Sequence, residues 1–224
     1  MAVGALAFTA LPLVLTRVFE SALRRVSLPL PLYVALLVVI SYGPALAWWW
    51  YASGALGTGH RRNDVGLIMR RRDLGWGPLT WLVCFLSMAV VGSLVVTVGI
   101  PFTSNTQGIA DGRSDTEYLV AMVVLAVVVA PVAEEIVFRG MVLRGLLSRW
   151  PAPAAIAAQA VLFGTAHLDP AWGAGNVGLI IVLSVAGAVF GTTAYLCRRI
   201  APSIIAHAIL NALAIAAALA GAAN

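Results

Sequence analysis

The sequence predicts an all-α fold: a polytopic transmembrane helical bundle of about 6–8 helices, with its candidate active site inside the membrane. Three observations predict it. Hydrophobic residues make up 61% of the 224 residues and charged residues only 10%, whereas a soluble domain carries about 25% charge. Mean hydropathy is +0.96, so there is too little polar surface to clothe a water-soluble globule. Apolar runs of spanning length also recur along the chain, separated by short connections that carry most of the charge. Nothing sets aside a separate soluble unit, so residues 1–224 read as a single integral membrane domain.

A membrane span needs about 20 apolar residues. Segments 28–51, 78–101, 118–138, 177–196 and 201–218 meet that length, and a sixth, 152–168, is shorter, rich in alanine and almost free of charge. The first run, 2–18, is marginal and contains Pro12. It lacks a basic leader, which argues against a cleaved signal peptide. Gly-Trp-Gly-Pro at 75–78 is expected to open the span that follows, and Trp150-Pro151 a sharp turn, because proline disfavours helical geometry in the residue before it.

The net charge of +5 comes from 14 arginines with no lysine. They gather in short connections, as the positive-inside rule requires, with no arginine-rich arm for nucleic acid. Arg61, Arg62, Arg70, Arg71 and Arg72 assign their loop to the cytoplasm, as do Arg139, Arg144 and Arg149, then Arg198 and Arg199. The acidic connection with Asp111, Asp115 and Glu117 falls outside. Arg17, Arg24 and Arg25 break the alternation, which a first run lying in the interface would explain. The alanine, valine and arginine bias suggests a bacterial cytoplasmic membrane. Cys84 and Cys197 sit in apolar runs with neither disulfide nor metal-ligand spacing and read as packing residues.

Polar side chains inside the spans carry the chemistry. Glu134 and Glu135 follow eleven apolar residues; a charge at such depth costs roughly 2.5–3.5 kcal/mol and marks function by default. The alternative, a pair among the headgroups at a helix end, conflicts with the helix-compatible stretch that continues to Trp150. Glu134 lies sixteen residues before Trp150, and His167 sixteen after Pro151. Antiparallel helices folded at that turn bring both to the same level, roughly 24 Å from it. His207 and Asn211, four apart, share a helix face; alone they would pass as a polar pair joining helices. Glu135 and Arg139, also four apart, are expected to form an ion pair, leaving Glu134 free to act on water as a general base. Phe163, four before His167, falls on its face and is placed to wall a pocket.

AEEIVFRG with Glu134, Glu135 and Arg139, FGTAH with Phe163 and His167, and HAILN with His207 and Asn211 occur in that order. They resemble the motifs EExxxR, FxxxH and HxxxN/D of the CPBP family of CAAX prenyl proteases and bacteriocin-processing enzymes, also called Abi, without a departure. MRRRDLGWG is similar to a stretch common in bacterial members. The motif region covers 118–224; the N-terminal half resembles the family only as generic spans. The resemblance implies an intramembrane endopeptidase acting on a membrane-associated protein or peptide, with the lipid bilayer as its other partner. It implies that Glu134 activates water with help from His167, that His207 and Asn211 stabilise the oxyanion, and that Glu135 and Arg139 support the site. The resemblance favours a metal-free glutamate–water mechanism, and there is no HExxH here; a zinc ion on Glu134, His167 and His207 is the alternative. A proton-coupled transporter would also place Glu and His in the membrane, but no inverted repeat is visible. A non-catalytic scaffold or immunity protein would keep the fold without the chemistry.

Overall fold

The computed structural model describes residues 28–106 and 116–221. The run 2–18, the arginines at 17, 24 and 25, and Asp111, Arg113 and Asp115 lie outside the described residues. Among those described, seven helices and no strand are present: α1 Leu30–Ala55, α2 Arg61–Asp64, α3 Asp73–Thr97, α4 Thr116–Leu147, α5 Ala152–Thr165, α6 Gly175–Cys197 and α7 Ala201–Gly221. Five of them (α1, α3, α4, α6 and α7) are long and apolar enough to cross a membrane, while α5 is the shorter apolar helix. All five spans and the short sixth segment therefore stand where the apolar runs put them.

The start of α3 differs from the expected one. α3 begins at Asp73, five residues before Pro78. The Arg70 N–H donates to Asp73 Oδ2 at 2.8 Å, and the fully buried Asp73 carboxylate is gripped by Arg199 from the far end of the chain. The anchored first turn holds the helix together ahead of Pro78, which removes one rung and crowds the Leu74 carbonyl.

α6 is central, packed against α5 on one side and α3 on the other, and α7 rests on α3 and α4. Small residues let α5 and α6 touch along their backbones, the usual device where no hydrophobic force separates helix from lipid. A Cβ on Gly187 would stand 2.8 Å from the Ala160 Cα, and one on Gly164 would stand 2.6 Å from the Ile180 carbonyl oxygen. That closeness carries the α5 residues Gln159 and Phe163 into the core beside Phe190 of α6. The α6–α7 junction turns through Arg198, whose φ of 56° is left-handed. It is tied down by Arg144 Nη2 donating to the Arg198 carbonyl at 3.2 Å and by the Ile200 N–H donating to Gly66 O at 2.9 Å.

Candidate active site

The site is assembled on α4, which is not a uniform α-helix. Leu125–Val129 and Ile136–Leu143 are wound as π-helix, flanking Ala130–Glu135. π segments concentrate at functional positions because they turn side chains off the regular helical stripe. Here the first has an identifiable cause. The Ala130 N–H bonds to Leu125 O, five residues back. The next rung would join residue 131 to Ala126 O, but Pro131 has no N–H. The carbonyl so released accepts from Asn211 Nδ2 at 2.7 Å. A proline on α4 thus makes the acceptor that holds Asn211 of α7.

The second π segment delivers Arg139 into the core. Glu135 and Arg139 are 0% and 1% exposed, and Arg139 Nη1 donates to Glu135 Oε1 at 2.7 Å, the pair expected from their spacing. The guanidinium also lies over the Phe163 ring, 4.3 Å from its centroid, and donates through Nη2 to Gly187 O at 3.2 Å. Glu135 Oε1 further meets His207 Nδ1 at 3.3 Å, so the buried acid joins Arg139 to the imidazole of α7.

Glu134 points the other way. Tyr42 of α1 donates its hydroxyl to Glu134 Oε1 at 2.8 Å. Glu134 Oε2 is buried without a hydrogen-bond partner and stands 3.8 Å from Nε2 of both His167 and His207. His167 Nδ1 lies 2.8 Å from the Phe163 carbonyl. A carbonyl only accepts, so Nδ1 carries the hydrogen and the Nε2 of the neutral ring is left as an acceptor. Two acceptors, Glu134 Oε2 and His167 Nε2, therefore face one space across a gap too long for a direct hydrogen bond. Phe163 closes one wall, with ring centroids 4.9 Å from His167 and 5.8 Å from His207, and Phe190 stacks on His207 at 5.3 Å. The enclosed cavity is about 50 Å³, lined by Glu134, His167, His207, Asn211, Phe163 and Asn105 among others. That is room for a few waters. Glu134 and His167 side chains keep 13% and 22% exposure, so the cavity is not sealed.

The structure brings together all seven residues singled out from sequence: Glu134, His167, His207, Asn211 and Phe163 line the cavity, and Glu135 with Arg139 lies directly behind it. Three contributors were not anticipated. Tyr42 lay in a span read only as generic, although a tyrosine amid VVISYGPA was a visible polar handle. Gln159, fully buried in α5, donates to Gly187 O at 2.8 Å beside Arg139; an amide in an alanine-rich run was its signal. Asn105 reaches the cavity mouth because its segment is pinned to α6, the Gly178 N–H donating to Pro101 O at 3.0 Å. No local pattern announced that. The side chains that would hold a metal, Glu134, His167 and His207, meet with Nε2 of both imidazoles 3.8 Å from Glu134 Oε2; among the described residues, no group of three His, Cys, Asp or Glu side chains is already drawn together as a metal site.

Five spans around a buried carboxylate–imidazole cluster define a multi-pass integral membrane protein. Comparison narrows the class: residues 116–213 match the family model described as Rce1-like, type II CAAX prenyl endopeptidase. The match takes in α4, α5, α6 and most of α7, with every motif residue, and bears out the resemblance to the CPBP family; α1 and Tyr42 lie outside it. No curated protein and no solved structure matches the chain.

Proposed function

We propose that this protein is an intramembrane endopeptidase of the CAAX prenyl protease-like type, hydrolysing a peptide bond of a membrane-associated substrate with a Glu134-activated water. The observation that carries the reading is the pair of opposed acceptors, Glu134 Oε2 and His167 Nε2, across a 3.8 Å gap in a small polar cavity. One water donating to both satisfies them and is held with its oxygen lone pair directed into the cavity. Glu134 takes a proton from that water as the oxygen attacks the scissile carbonyl, and later returns it to the departing amine. The Tyr42 hydrogen bond fixes the carboxylate so that Oε2, not Oε1, faces the water.

Charge developing on the carbonyl oxygen needs donors already in place. In its imidazolium form His207 donates from Nδ1 to Glu135 and from Nε2 into the cavity, and the Glu135–Arg139 pair holds the ring in that orientation. Asn211 spends one Nδ2 hydrogen on Ala126 O and keeps the other for the oxyanion. No step is routed through a metal. The whole described chain acts as one domain, because Tyr42 comes from α1 and the motifs from α4, α5 and α7.

The test compares protein termini in membranes of cells that normally make this protein, carrying either wild type or Glu134→Gln at matched expression. Cleavage ends present only with wild type support the protease and identify its substrate. Identical termini in the two membranes overturn the proposal.

A further inference from the structure

A second cavity lies along another face of α6. It is a groove of about 580 Å³ between α3 and α6, within the size range of lipid- and drug-sized sites, and it shares no lining residue with the catalytic cavity. Its long walls are apolar and open outward: Leu79 and Val83 of α3 are 49% and 47% exposed, and Leu196 of α6 is 71% exposed. The Thr80 and Thr193 hydroxyls on its floor stand 3.2 Å apart and hydrogen-bond to each other, which leaves one hydroxyl hydrogen of the pair for an ester oxygen of an occupant.

The mouth is of different character. Arg70, Arg72 and Arg198 line it from the two helix ends, all exposed, with Trp76 beside them. Arg199, also at the rim, is neutralised by Asp73; among the described residues, no carboxylate pairs with the other three guanidiniums. Their backbones are fixed, Arg70 by its N–H to Asp73 and Arg198 by its carbonyl to Arg144. The result is an apolar trough on two membrane spans, closed at one end by three exposed positive charges, of which Arg72 also feels the Asp73 carboxylate.

We propose that this groove is a binding site for one anionic phospholipid. The headgroup phosphate sits among Arg70, Arg72 and Arg198, whose planar forks suit phosphate oxygens, and an acyl chain lies along Leu79, Val83 and Leu196. The charge complementarity commits the site to an anionic lipid over a zwitterionic one. α6 stands between groove and catalytic cavity, so the occupant is a lipid that buttresses the helix carrying Ala186 and Phe190 at the catalytic cavity, not the substrate.

The experiment presents full-length protein in detergent with equal phosphatidylglycerol and phosphatidylcholine, and counts retained lipids by native mass spectrometry. One phosphatidylglycerol is expected to be retained in preference. Arg70→Gln, Arg72→Gln and Arg198→Gln together are expected to weaken retention on the order of 100-fold, about fivefold per arginine. Val83→Trp, which fills the trough and spares the arginines, is expected to expel the same lipid. Equal retention of the two lipids overturns the proposal, as does an unchanged preference in the triple variant or in Val83→Trp. Equal competition by glycerol phosphate, which lacks acyl chains, reduces the site to a simple anion site and overturns it too. The three arginines are exposed, so the triple variant is expected to keep the wild-type thermal midpoint in lipid-free detergent, which separates loss of lipid from loss of fold.

Discussion

Replacing Arg139 with methionine removes one charge from a pair that no water reaches. Glu135 is 0% exposed and its Oε2 already lacks a partner, so its remaining contact would be His207 Nδ1 at 3.3 Å. Breaking a buried ion pair costs about 3–5 kcal/mol because the surviving charge is left uncompensated, against about 0.3–0.5 kcal/mol for the same i,i+4 pair on a surface. Methionine fills much of the space above Phe163, so cavity formation adds little, and the expected loss for Arg139→Met is about 3–5 kcal/mol. Adding Glu135→Gln removes the stranded charge while keeping a hydrogen-bonding group for His207. The double variant is expected to be more stable than Arg139→Met alone, a non-additivity that a distant pair would not show. Unfolding by sodium dodecyl sulfate titration in mixed micelles, followed by far-ultraviolet circular dichroism, reads both values. A loss below about 1 kcal/mol for Arg139→Met, or a double variant weaker by the sum of the two single losses, refutes the account of a buried, electrostatically closed cluster.

Three further outcomes follow from the same geometry. Tyr42→Phe deletes the donor to Glu134 Oε1, a bond to a charged group worth about 1.5–3 kcal/mol; cleavage should fall at least about tenfold, whereas a wild-type rate would make Tyr42 a packing residue. Asn211→Ala strands Ala126 O at a cost of about 1–3 kcal/mol, and the same change made in a Pro131→Ala background should cost less, since residue 131 then has an N–H for that carbonyl. Equal losses in the two backgrounds would contradict the proline-made acceptor. Strong chelators should leave cleavage largely intact; complete loss restored by zinc would replace the glutamate–water mechanism with a metal one.

The spans were legible because an apolar run of membrane length has few other uses, and the site because charged or amide groups inside such runs are costly enough to stand out. Glu134 and His167 could even be paired in advance, since the Trp150-Pro151 turn sets the register of the two helices that carry them. What stayed hidden depends on contacts between distant segments. The first π segment of α4 goes with one missing N–H and a partner 85 residues away, and no helical periodicity reports that. The early start of α3 rests on an ion pair between residues 126 apart. Tyr42 and Asn105 acquire meaning only once α1 and the 101–106 segment have packed against the motif helices.

The fourteen residues of α5 have a consequence for direction. At about 1.5 Å per residue the helix is roughly 21 Å long, while the hydrocarbon layer is roughly 30 Å thick. A helix of that length is shorter than the layer, and His167 follows two residues after its last turn. The irregular stretch beyond it satisfies its own backbone: Asn176 accepts from the Asp169 N–H at 2.9 Å and donates to the Asp169 and Gly173 carbonyls. A short helix beside full-length spans makes the bundle asymmetric between its two ends. On the proposed function, water is expected to reach His167 from the side where α5 falls short, which would make the two compartments inequivalent to the protein.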